Sequence, residues 1–353
     1  VISGTPTVAG DYSVTVTVRD SFVPAGMASR VLPLKVYGPP QVVTDSLPEG
    51  KVGVSYSGAT VLAGGGKAPY SWSAAGLPGG LSMSAGGVIS GTPTASGDYS
   101  VTVTVVDSLV PAGTANRVLA LKVYPALEVV TASLAEGEVG LAYSATVLAG
   151  GGKAPYTRSA IGLPAGLSMS AGGVISGTPT ASGDYSVTVT VVDSLVPAGT
   201  ANRVLALKVY PALEVVTGSL PEGKVGVLYS GATVVATGGK APYSWSAAGL
   251  PVGLSMSAGG VISGTPTAFG DYSVTVTVVD SLVPARTVSR ALVLRLRVQG
   301  DVNGDGLADM GDVIRIERMI LGLEGPDSAA DVNGDGHIDM GDVIWVELKI
   351  VGS

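Results

Sequence analysis

The stretch GLPGGLSMSAGGVISGTPTASGDYSVTVTVVDS, residues 76–108, decides the fold of most of this chain. In its second half, polar Ser and Thr alternate with apolar Tyr99, Val101, Val103 and Val105. Successive side chains of a β-strand point to opposite faces, so this alternation predicts a strand with one apolar face. Gly and Pro clusters divide the rest into short segments. The stretch therefore predicts short β-strands joined by tight turns.

The same stretch recurs along the chain. The string VISGTPT begins at residues 1, 88, 174 and 261, and residues 88–131 are identical to residues 174–217. This spacing is that of whole small domains in tandem, because solenoid repeats are only about 20–50 residues long. We predict domains at residues 39–124, 125–210 and 211–298, the C-terminal part of a truncated repeat at 1–38, and a different module at 299–353.

Each complete repeat is typical of an antiparallel sandwich. In the first one the predicted strands are Gln41–Thr44, Val54–Ala63, Tyr70–Ala75, Leu81–Ser84, Val88–Ser90, Tyr99–Val105 and Leu119–Val123. About seven short strands with frequent turns are the signature of a β-sandwich. No segment is left for a crossover helix, so a parallel sheet is not expected. Pro125 and Pro211 stand in very short linkers, which predicts a semi-rigid string of domains.

Composition and charge narrow the function classes. The chain of 353 residues has 46% hydrophobic and 13% charged residues, which argues against wholesale disorder. It has no cysteine, which excludes disulfides and thiolate metal sites. Its net charge of −7 divides into +2 for residues 1–298 and −9 for residues 299–353. No basic patch indicates nucleic-acid binding, and no apolar run reaches the ~18 residues of a membrane span.

The repeats resemble a known family. The run Gly76–Ser108, which recurs at Gly162–Ser194 and Gly249–Ser281, is similar to the end of the immunoglobulin-like domains found in microbial surface and secreted proteins. The resemblance implies an immunoglobulin-like β-sandwich with a spacer or adhesive role. It specifies a fold rather than a ligand.

The repeats offer little catalytic chemistry. The single histidine, His337, lies in the tail, so a Ser-His-Asp triad is excluded from residues 1–298. Asp98 and Asp107 stand at opposite ends of one predicted strand, ~30 Å apart, too far for a pair of glycosidase carboxylates. We interpret both as turn acids, with inter-domain Ca²⁺ ligation as the alternative.

Two further residue types have a structural and a functional interpretation. Trp72 and Trp245 could stack on glycans, although Arg158 at the equivalent position favours packing on the surface of the sheet. The loop lysines Lys67, Lys153 and Lys240 are expected to be solvated.

The acidic tail carries the sharpest motif. The pattern D-x-N-x-D-G-x-x-D-x-x-D occurs twice, 30 residues apart. Ca²⁺ takes six to eight oxygen ligands, and EF-hand loops supply them from positions 1, 3, 5, 7, 9 and 12, with Gly at position 6 for the turn. We predict two Ca²⁺ ions, held by side-chain oxygens and by the carbonyls of Leu307 and His337; the side-chain ligands are Asp301, Asn303, Asp305, Asp309 and Asp312, then Asp331, Asn333, Asp335, Asp339 and Asp342.

An amphipathic helix is predicted after each loop. The apolar positions of the first are Val313, Ile316, Ile320 and Leu323, with Gly322 near its end, and those of the second are Val343, Val346 and Ile350. This duplication of a loop and a helix in residues 299–353 resembles a type I dockerin module. The resemblance implies two Ca²⁺ ions and docking onto a cohesin domain.

The resemblance also implies a partner-binding surface, at positions 10, 11, 17 and 18 of each unit. In this sequence those residues are Met310, Gly311, Glu317 and Arg318, then Met340, Gly341, Glu347 and Leu348. The repeated Met-Gly pair keeps an internal two-fold symmetry that would permit docking in either orientation. The alternative is that Met310 and Met340 pack in the core of the module itself.

The sequence thus predicts a mostly β chain of tandem immunoglobulin-like sandwiches, followed by a small all-α calcium-binding module. We expect a non-catalytic scaffold or spacer, extracellular or on the cell surface, that docks onto a cohesin-type partner through Ca²⁺. One alternative is the C-terminal, non-catalytic part of a secreted polysaccharide-degrading enzyme whose catalytic domain lies upstream. Another is an adhesin whose sandwiches bind glycans through Trp72 and Trp245.

Overall fold

Three similar β-sandwiches follow one another along the chain, as a computed structural model that describes residues 1–352 shows. We call them sandwich A (residues 39–124), sandwich B (125–210) and sandwich C (211–298). The strands of sandwich A are Gln41–Val42, Gly50–Lys51, Tyr56–Thr60, Ala63–Gly64, Ser71–Ala75, Leu81–Met83, Val88–Gly91, Gly97–Val106 and Thr114–Tyr124.

Sandwiches B and C repeat these elements. The strands of B are Glu128–Val129, Gly137–Glu138, Tyr143–Thr146, Ala149–Gly150, Thr157–Ile161, Leu167–Met169, Val174–Gly177, Gly183–Val192 and Thr200–Tyr210. The strands of C are Glu214–Val215, Gly223–Lys224, Tyr229–Thr233, Ala236–Thr237, Ser244–Ala248, Leu254–Met256, Val261–Gly264, Gly270–Val279 and Thr287–Arg297.

Every sandwich contains a four-stranded sheet, a three-stranded sheet and a two-stranded sheet, which in sandwich A joins Gln41–Val42 to Ala63–Gly64. In sandwich A the four-stranded sheet places its strands in the order Gly50–Lys51, Thr114–Tyr124, Gly97–Val106 and Ser71–Ala75. The three-stranded sheet joins Tyr56–Thr60, Val88–Gly91 and Leu81–Met83. One pairing differs from the expectation of an all-antiparallel sandwich, because Gly50–Lys51 runs parallel to Val123–Tyr124. The pairing spans only two residues, so it needs no crossover helix within the sandwich.

A long antiparallel hairpin supplies the centre of each core. In sandwich A it is formed by Gly97–Val106 and Thr114–Tyr124, paired from Gly97 with Val123 to Val106 with Thr114. The predicted inward residues are fully buried: Val101, Val103, Val105, Leu119, Leu121 and Val123. Ile89 of the three-stranded sheet packs against them. Burying each such side chain contributes ~1.5–3 kcal/mol, which makes this alternation the main source of the fold.

The two aspartates interpreted as turn acids differ in their surroundings. Asp98 is exposed and pairs with Lys122 at 3.3 Å. Asp107 is buried, and its carboxylate accepts hydrogen bonds from the backbone N–H groups of Gly113 (2.7 Å), Leu109 (3.2 Å) and Lys67 (3.4 Å). Burial acts to raise the pKa of Asp107, but these backbone donors hold it below its ordinary value. Asp107 is thus the anchor of two loops rather than a simple turn acid.

The N-terminal segment forms a hairpin, Gly10–Arg19 paired with Met27–Val36. It corresponds to the long hairpin of the sandwiches. Its apolar residues are exposed in this structure, among them Val16, Val18, Leu32 and Leu34.

A small helical module occupies the C-terminal end. Helix α1 spans Met310–Ile320, a short 3₁₀ helix spans Ser328–Ala330, and helix α2 spans Met340–Gly352. The core joins both helices to the residues that begin each loop: Val302, Val313, Ile316, Met319, Ala330, Val332, Val343 and Val346.

Two predictions for the first helix were wrong. Ile320 and Leu323 are exposed, and Met319 is buried in their place. Within α1 the buried apolar residues follow a spacing of three, Val313, Ile316 and Met319, which leaves Ile320 at the edge of that face. Leu323 lies outside the helix, which ends at Ile320, and Gly322 after it takes a positive φ of 70°. Beyond that point the helical spacing no longer determines which residues face the core.

Candidate metal and docking module

Two loops of identical design precede the helices, at residues 301–312 and 331–342. Each loop turns sharply at its sixth position, where Gly306 has φ 94° and Gly336 has φ 87°. A side chain is strained in this left-handed region, so glycine is needed at both positions. The predicted turn glycines are therefore explained by backbone geometry.

The first aspartate of each loop is bound by the loop's own backbone. Asp301 accepts hydrogen bonds from the N–H groups of Gly304 at 2.7 Å and Gly306 at 2.9 Å. In the second loop, Asp331 accepts from Gly334 at 2.8 Å and Gly336 at 2.9 Å.

The residues at positions 3 and 5 also interact within each loop. The Asn303 side-chain oxygen accepts from the Asp305 N–H at 2.8 Å, and its amide nitrogen donates to the Asp305 carboxylate at 2.9 Å. Asn333 and Asp335 repeat both contacts, at 2.8 and 3.0 Å. Asp301, Asn303 and Asp305 thus line one short segment of loop, as their counterparts do in the second.

The twelfth position has a structural role that the motif did not reveal. Asp312 is fully buried and accepts from the N–H groups of Val302 (2.7 Å), Asn303 (2.8 Å) and Asp309 (2.9 Å). Asp309 in turn caps α1 by accepting from the Gly311 N–H at 2.7 Å, which completes a capping box. The sequence signal was present, because two acids three residues apart before an apolar run is a variant of the capping-box pattern.

The second loop repeats this arrangement. Asp342 is fully buried and accepts from Val332 (2.9 Å), Asn333 (3.2 Å) and Asp339 (3.0 Å), while Asp339 accepts from the Gly341 N–H at 2.7 Å. Each twelfth residue therefore joins the start of its loop to the start of the following helix.

The carboxylates face backbone amides rather than one another. Within residues 1–352, no group of three or more His, Cys, Asp or Glu side chains is positioned to hold a metal ion. The donor set nevertheless fits a hard divalent cation, since each loop confines four Asp and one Asn, all with oxygen ligands, to twelve residues. At the seventh positions, Leu307 and His337 donate their N–H groups to Asp305 and Asp335, at 3.0 and 2.9 Å.

The predicted partner-binding residues lie on the surface. Met310 and Met340 are 53% and 54% exposed, and Gly311, Glu317, Arg318, Gly341, Glu347 and Leu348 are exposed as well. The alternative that the two methionines pack in the module's own core is therefore wrong. Gly311 also has a local reason to be glycine, because a Cβ there would lie 2.9 Å from the side chains of Asn303 and Asp309.

Arg315 and Trp345 stand at equivalent positions of the two halves of the module but make different contacts. Arg315 donates a hydrogen bond to the carbonyl of Val302 and pairs with Glu324 at 3.3 Å and Asp327 at 3.4 Å. Trp345 packs against the module's core, and Lys349 lies over its ring at 5.4 Å. The loops are therefore closely symmetric, whereas the helices are not.

The residues considered as glycan-stacking candidates make contacts within their own domains. Trp72 and Trp245 are partly buried and pack against the cores of sandwiches A and C. In sandwich B, Arg158 lies over the ring of Tyr156 at 5.4 Å and donates to the carbonyl of Gly172 at 3.1 Å. In the part of the chain that the structure describes, no helix is long and apolar enough to cross a membrane.

Two protein families match the chain. The family described as "Putative Ig domain" matches residues 39–123, 125–209 and 214–294, and the family described as "Dockerin type I domain" matches residues 299–350. Domains of these two kinds are non-catalytic. No curated protein matches the chain.

Several solved structures are similar to the chain. Mouse cadherin-23 EC22-24 is 14% identical, with a TM-score of 0.29, over 74% of this chain and 99% of that one. The I-band fragment I67-I69 from titin is 15% identical, with a TM-score of 0.39 and the same coverage. The protocadherin GammaB4 extracellular domain is 16% identical, with a TM-score of 0.31, over 81% of this chain and 56% of that one. These TM-scores are below 0.5, so no functional conclusion rests on them.

Proposed function

The chain belongs to the Ig-domain family whose three matches span most of residues 39–294, and it carries a type I dockerin domain; from this premise we propose that it is a non-catalytic extracellular scaffold or spacer. The Ig-like sandwiches hold the dockerin domain at a distance from whatever precedes them. The dockerin domain docks, in a calcium-dependent manner, onto a cohesin-type partner. Both kinds of domain are typical of extracellular and cell-surface proteins, which supports that location.

One observation carries the docking half of the proposal. Two loops with the same internal hydrogen bonds each lead into a helix whose first residue, Met310 or Met340, is exposed. A thioether side chain is flexible and polarizable, so an exposed methionine suits an adaptable apolar contact. The pair Met310 and Met340 would offer the same contact twice.

Calcium would be held by the loop residues predicted from the motif. Type I dockerin domains bind calcium, and we assign one ion to each loop, two in all. A bound ion supplies positive charge that offsets the mutual repulsion of the loop carboxylates. Asp301, Asn303, Asp305 and Asp309 would bind one ion together with the carbonyl of Leu307. Asp312, whose carboxylate already joins loop and helix, would couple ion binding to the position of α1.

The second ion would be held in the same manner by Asp331, Asn333, Asp335, Asp339 and Asp342 with the carbonyl of His337. Both helices would then present their exposed residues to the partner. We assign the contact surface to Met310, Gly311, Glu317 and Arg318 on one side and to Met340, Gly341, Glu347 and Leu348 on the other. Because Arg318 corresponds to Leu348, the two orientations of docking would differ in charge.

The test uses the whole chain, residues 1–353. Calorimetric titration with Ca²⁺ is expected to show two bound ions, and circular dichroism is expected to show a gain in helix. A panel of cohesin domains, tested with and without a chelator, is expected to contain a partner that binds only with Ca²⁺. Retention of binding in chelator, or titration without two-site uptake, would contradict the proposal.

Variants separate ion binding from docking. Replacing Met310→Asp together with Met340→Asp is expected to abolish binding to the cohesin partner and to leave the number of bound calcium ions at two. A matched control replaces Ile314→Asp and Ile344→Asp, which are similarly exposed on the same helices but lie outside the assigned surface. If the control lost binding to the same extent as the methionine variant, the assigned surface would be wrong.

A further inference from the structure

Sandwich A touches sandwich B through charged residues at the junction between them. The ammonium of Lys153 in B lies 2.5 Å from the carboxylate of Glu49 in A. Lys51 of A lies 3.7 Å from Asp193 of B, and both of these side chains are buried or nearly so. The expectation that Lys153 is a solvated loop lysine was therefore wrong, since it forms an ion pair between domains.

The junction between B and C repeats the first of these pairs. Lys240 of C lies 2.5 Å from Glu136 of B, and the two residues are equivalent to Lys153 and Glu49. The linker is held in the same way at both junctions. The carbonyls of Pro125 and Pro211 each accept a hydrogen bond, at 2.8 Å, from a loop glycine of the sandwich that follows. The two junctions thus share one ion pair and one linker hydrogen bond.

The second pair is not repeated in the same form, because Asp193 is kept as Asp280 while two positions near it change together. Lys51 of A corresponds to Glu138 of B, and Gly199 of B corresponds to Arg286 of C. The junction that has Lys51 thus has Gly199 opposite it. The junction that has Glu138 has Arg286 opposite it. In the second junction Arg286 lies 3.1 Å from the carboxylate of Glu138. The change from Lys51 to Glu138 reverses the charge at that position, and the change from Gly199 to Arg286 supplies the opposite charge beside it.

Space as well as charge requires this matching. A Cβ placed on Gly199 would lie 1.7 Å from the ammonium of Lys51, so a side chain at 199 cannot coexist with Lys51 in its observed position. Asp193 is fully buried, and within residues 1–352 one of its oxygens has no hydrogen-bond partner. A buried charge is costly unless an opposite charge compensates it, and Lys51 supplies that charge.

The second junction meets the same need with different residues. The side chain of Glu138 is fully buried; it accepts the N–H of Leu213 at 2.9 Å and faces Arg286. Replacing Lys51 by an acid without an arginine at 199 would place that acid against Asp193. Replacing Gly199 by arginine without an acid at 51 would place two cations together. Either change alone removes the match.

We infer that the ends of the sandwiches carry a two-part recognition code that fits each domain to its neighbour and holds the spacer as a stiffened rod. The common part is the Glu–Lys pair, Glu49 with Lys153 and Glu136 with Lys240. The specific part is the buried position, Lys51 facing Gly199 in one junction and Glu138 facing Arg286 in the other. The inference rests on the spacer half of the proposed function and is independent of its docking half.

The experiment measures the distance between domains by electron paramagnetic resonance on the full chain. The chain has no cysteine, so spin labels attach only where a cysteine is introduced. Ser82→Cys with Ser168→Cys reports on the junction of A and B, and Ser168→Cys with Ser255→Cys reports on that of B and C. All three serines are exposed and equivalent. A single narrow distance distribution is expected for each pair.

The code is tested by converting one junction into the other. Lys51→Glu alone, and Gly199→Arg alone, are each expected to reduce the narrow component of the A–B distribution about tenfold, within the range of coupling between residues that share one charged network. The double variant Lys51→Glu with Gly199→Arg is expected to restore the narrow component. The B–C distribution should not change in any of the three.

A matched control and a reciprocal exchange complete the design. Lys67→Glu makes the same charge change at an exposed loop position of sandwich A. Lys67 is equivalent to Lys153, so it lies at the end of sandwich A that faces away from B, and the variant is expected to leave both distributions unchanged. Glu138→Lys with Arg286→Gly should likewise be tolerated at the second junction, whereas Glu138→Lys alone should not. Thermal unfolding checks that each variant is folded.

The inference is overturned if the single variants leave the A–B distribution narrow, or if the double variant is as broad as the single ones. Because no partner protein is needed and the measurement is repeated in chelator, failure here and failure of calcium-dependent docking are distinguishable. A rod that stays narrow while cohesin binding is absent would support the inference and contradict the docking proposal.

Discussion

The ring of Phe269 in sandwich C lies directly over the backbone of Gly306 in the first loop of the dockerin domain. A Cβ placed on Gly306 would be 2.1 Å from the ring. The residues equivalent to Phe269 in sandwiches A and B are Ser96 and Ser182, so the aromatic side chain occurs in the sandwich that adjoins the loops. Gly306 is buried, whereas Gly336 of the second loop is exposed. The two loops are therefore alike internally but differ in their surroundings.

We predict that Phe269→Ser will release the first loop from sandwich C. Hydrogen exchange at the Gly306 amide is expected to become faster, because the ring that shields it from water is removed. The Gly336 amide provides an internal control and should exchange at an unchanged rate. Equal protection of Gly306 before and after the substitution would show that the contact does not hold the loop.

The core of the dockerin domain provides a second prediction from two neighbouring isoleucines of α1. Ile316 is fully buried and Ile314 is 52% exposed. Ile316→Ala is expected to destabilise the domain by ~2–5 kcal/mol, because it removes buried methyl groups and leaves a cavity. Ile314→Ala should cost well under ~1 kcal/mol. Thermal unfolding followed by the helical circular dichroism signal measures both, and similar losses in the two variants would contradict the observed orientation of α1.

A third prediction concerns the anchoring carboxylate of sandwich A. Asp107→Ala is expected to lower the melting temperature of that sandwich by several degrees, because it leaves backbone N–H groups of two loops without an acceptor. Asp98→Ala removes an exposed ion pair with Lys122 and should have almost no effect. Calorimetry of the full chain measures the melting temperature of each variant. Equal effects of the two substitutions would support the original interpretation of both residues as turn acids.

The fourth prediction concerns the pH dependence of the junctions. The hydrogen bond and the charge of Lys153 hold the pKa of Glu49 below its ordinary value of 4.5, and Lys240 does the same for the pKa of Glu136. An acid with a lowered pKa stabilises the contact above its unfolded pKa and loses that contribution as the pH falls through the folded pKa. Both junctions should therefore loosen on acidification below 4.5.

The pKa of Glu138, the buried acid of the second junction, is shifted in the opposite direction. Burial raises the pKa of Glu138 above 4.5, and Asp280 adds to this, although the Leu213 N–H and Arg286 oppose it. Protonation of Glu138 is therefore easier in the folded state, and its contribution is largest at low pH and declines as the pH rises through the raised pKa. We expect the A–B distance distribution to broaden more steeply than the B–C distribution between neutral pH and pH values below 4.5. Parallel broadening of the two would contradict the assignment.

The strands of the long hairpin could be predicted from sequence because their signal is local. Alternation from Tyr99 to Val105 identified the inward residues without knowledge of the partner strand. The predicted strand Val54–Ala63 instead divides in two, since Tyr56–Thr60 pairs with Val88–Gly91 and Ala63–Gly64 pairs with Gln41–Val42. Periodicity along a segment cannot show that its two ends belong to different sheets.

In the candidate site, too, some features could be predicted from the local sequence and others could not. The spacing of Asp, Asn and Gly predicted both loops, because a cation loop takes its oxygens from nearby residues of one segment. The burial of Asp312 against three backbone amides did not follow from that spacing. It depends on how the loop folds back onto the start of α1, which also leaves Met310 exposed rather than buried.

By itself, the sequence determined the tandem sandwiches, their inward-facing residues and the paired acidic loops, since each of these depends on residues that are close along the chain. Only the tertiary structure decided which domain ends meet. Glu49 and Lys153 are 104 positions apart, and no local periodicity relates them. Their contact depends on the angle between two folded domains, as do the matching of Lys51 to Gly199 and the placement of Phe269 over Gly306. These pairings exist only after each domain has folded, because an ion pair or a ring contact requires two surfaces already fixed in shape.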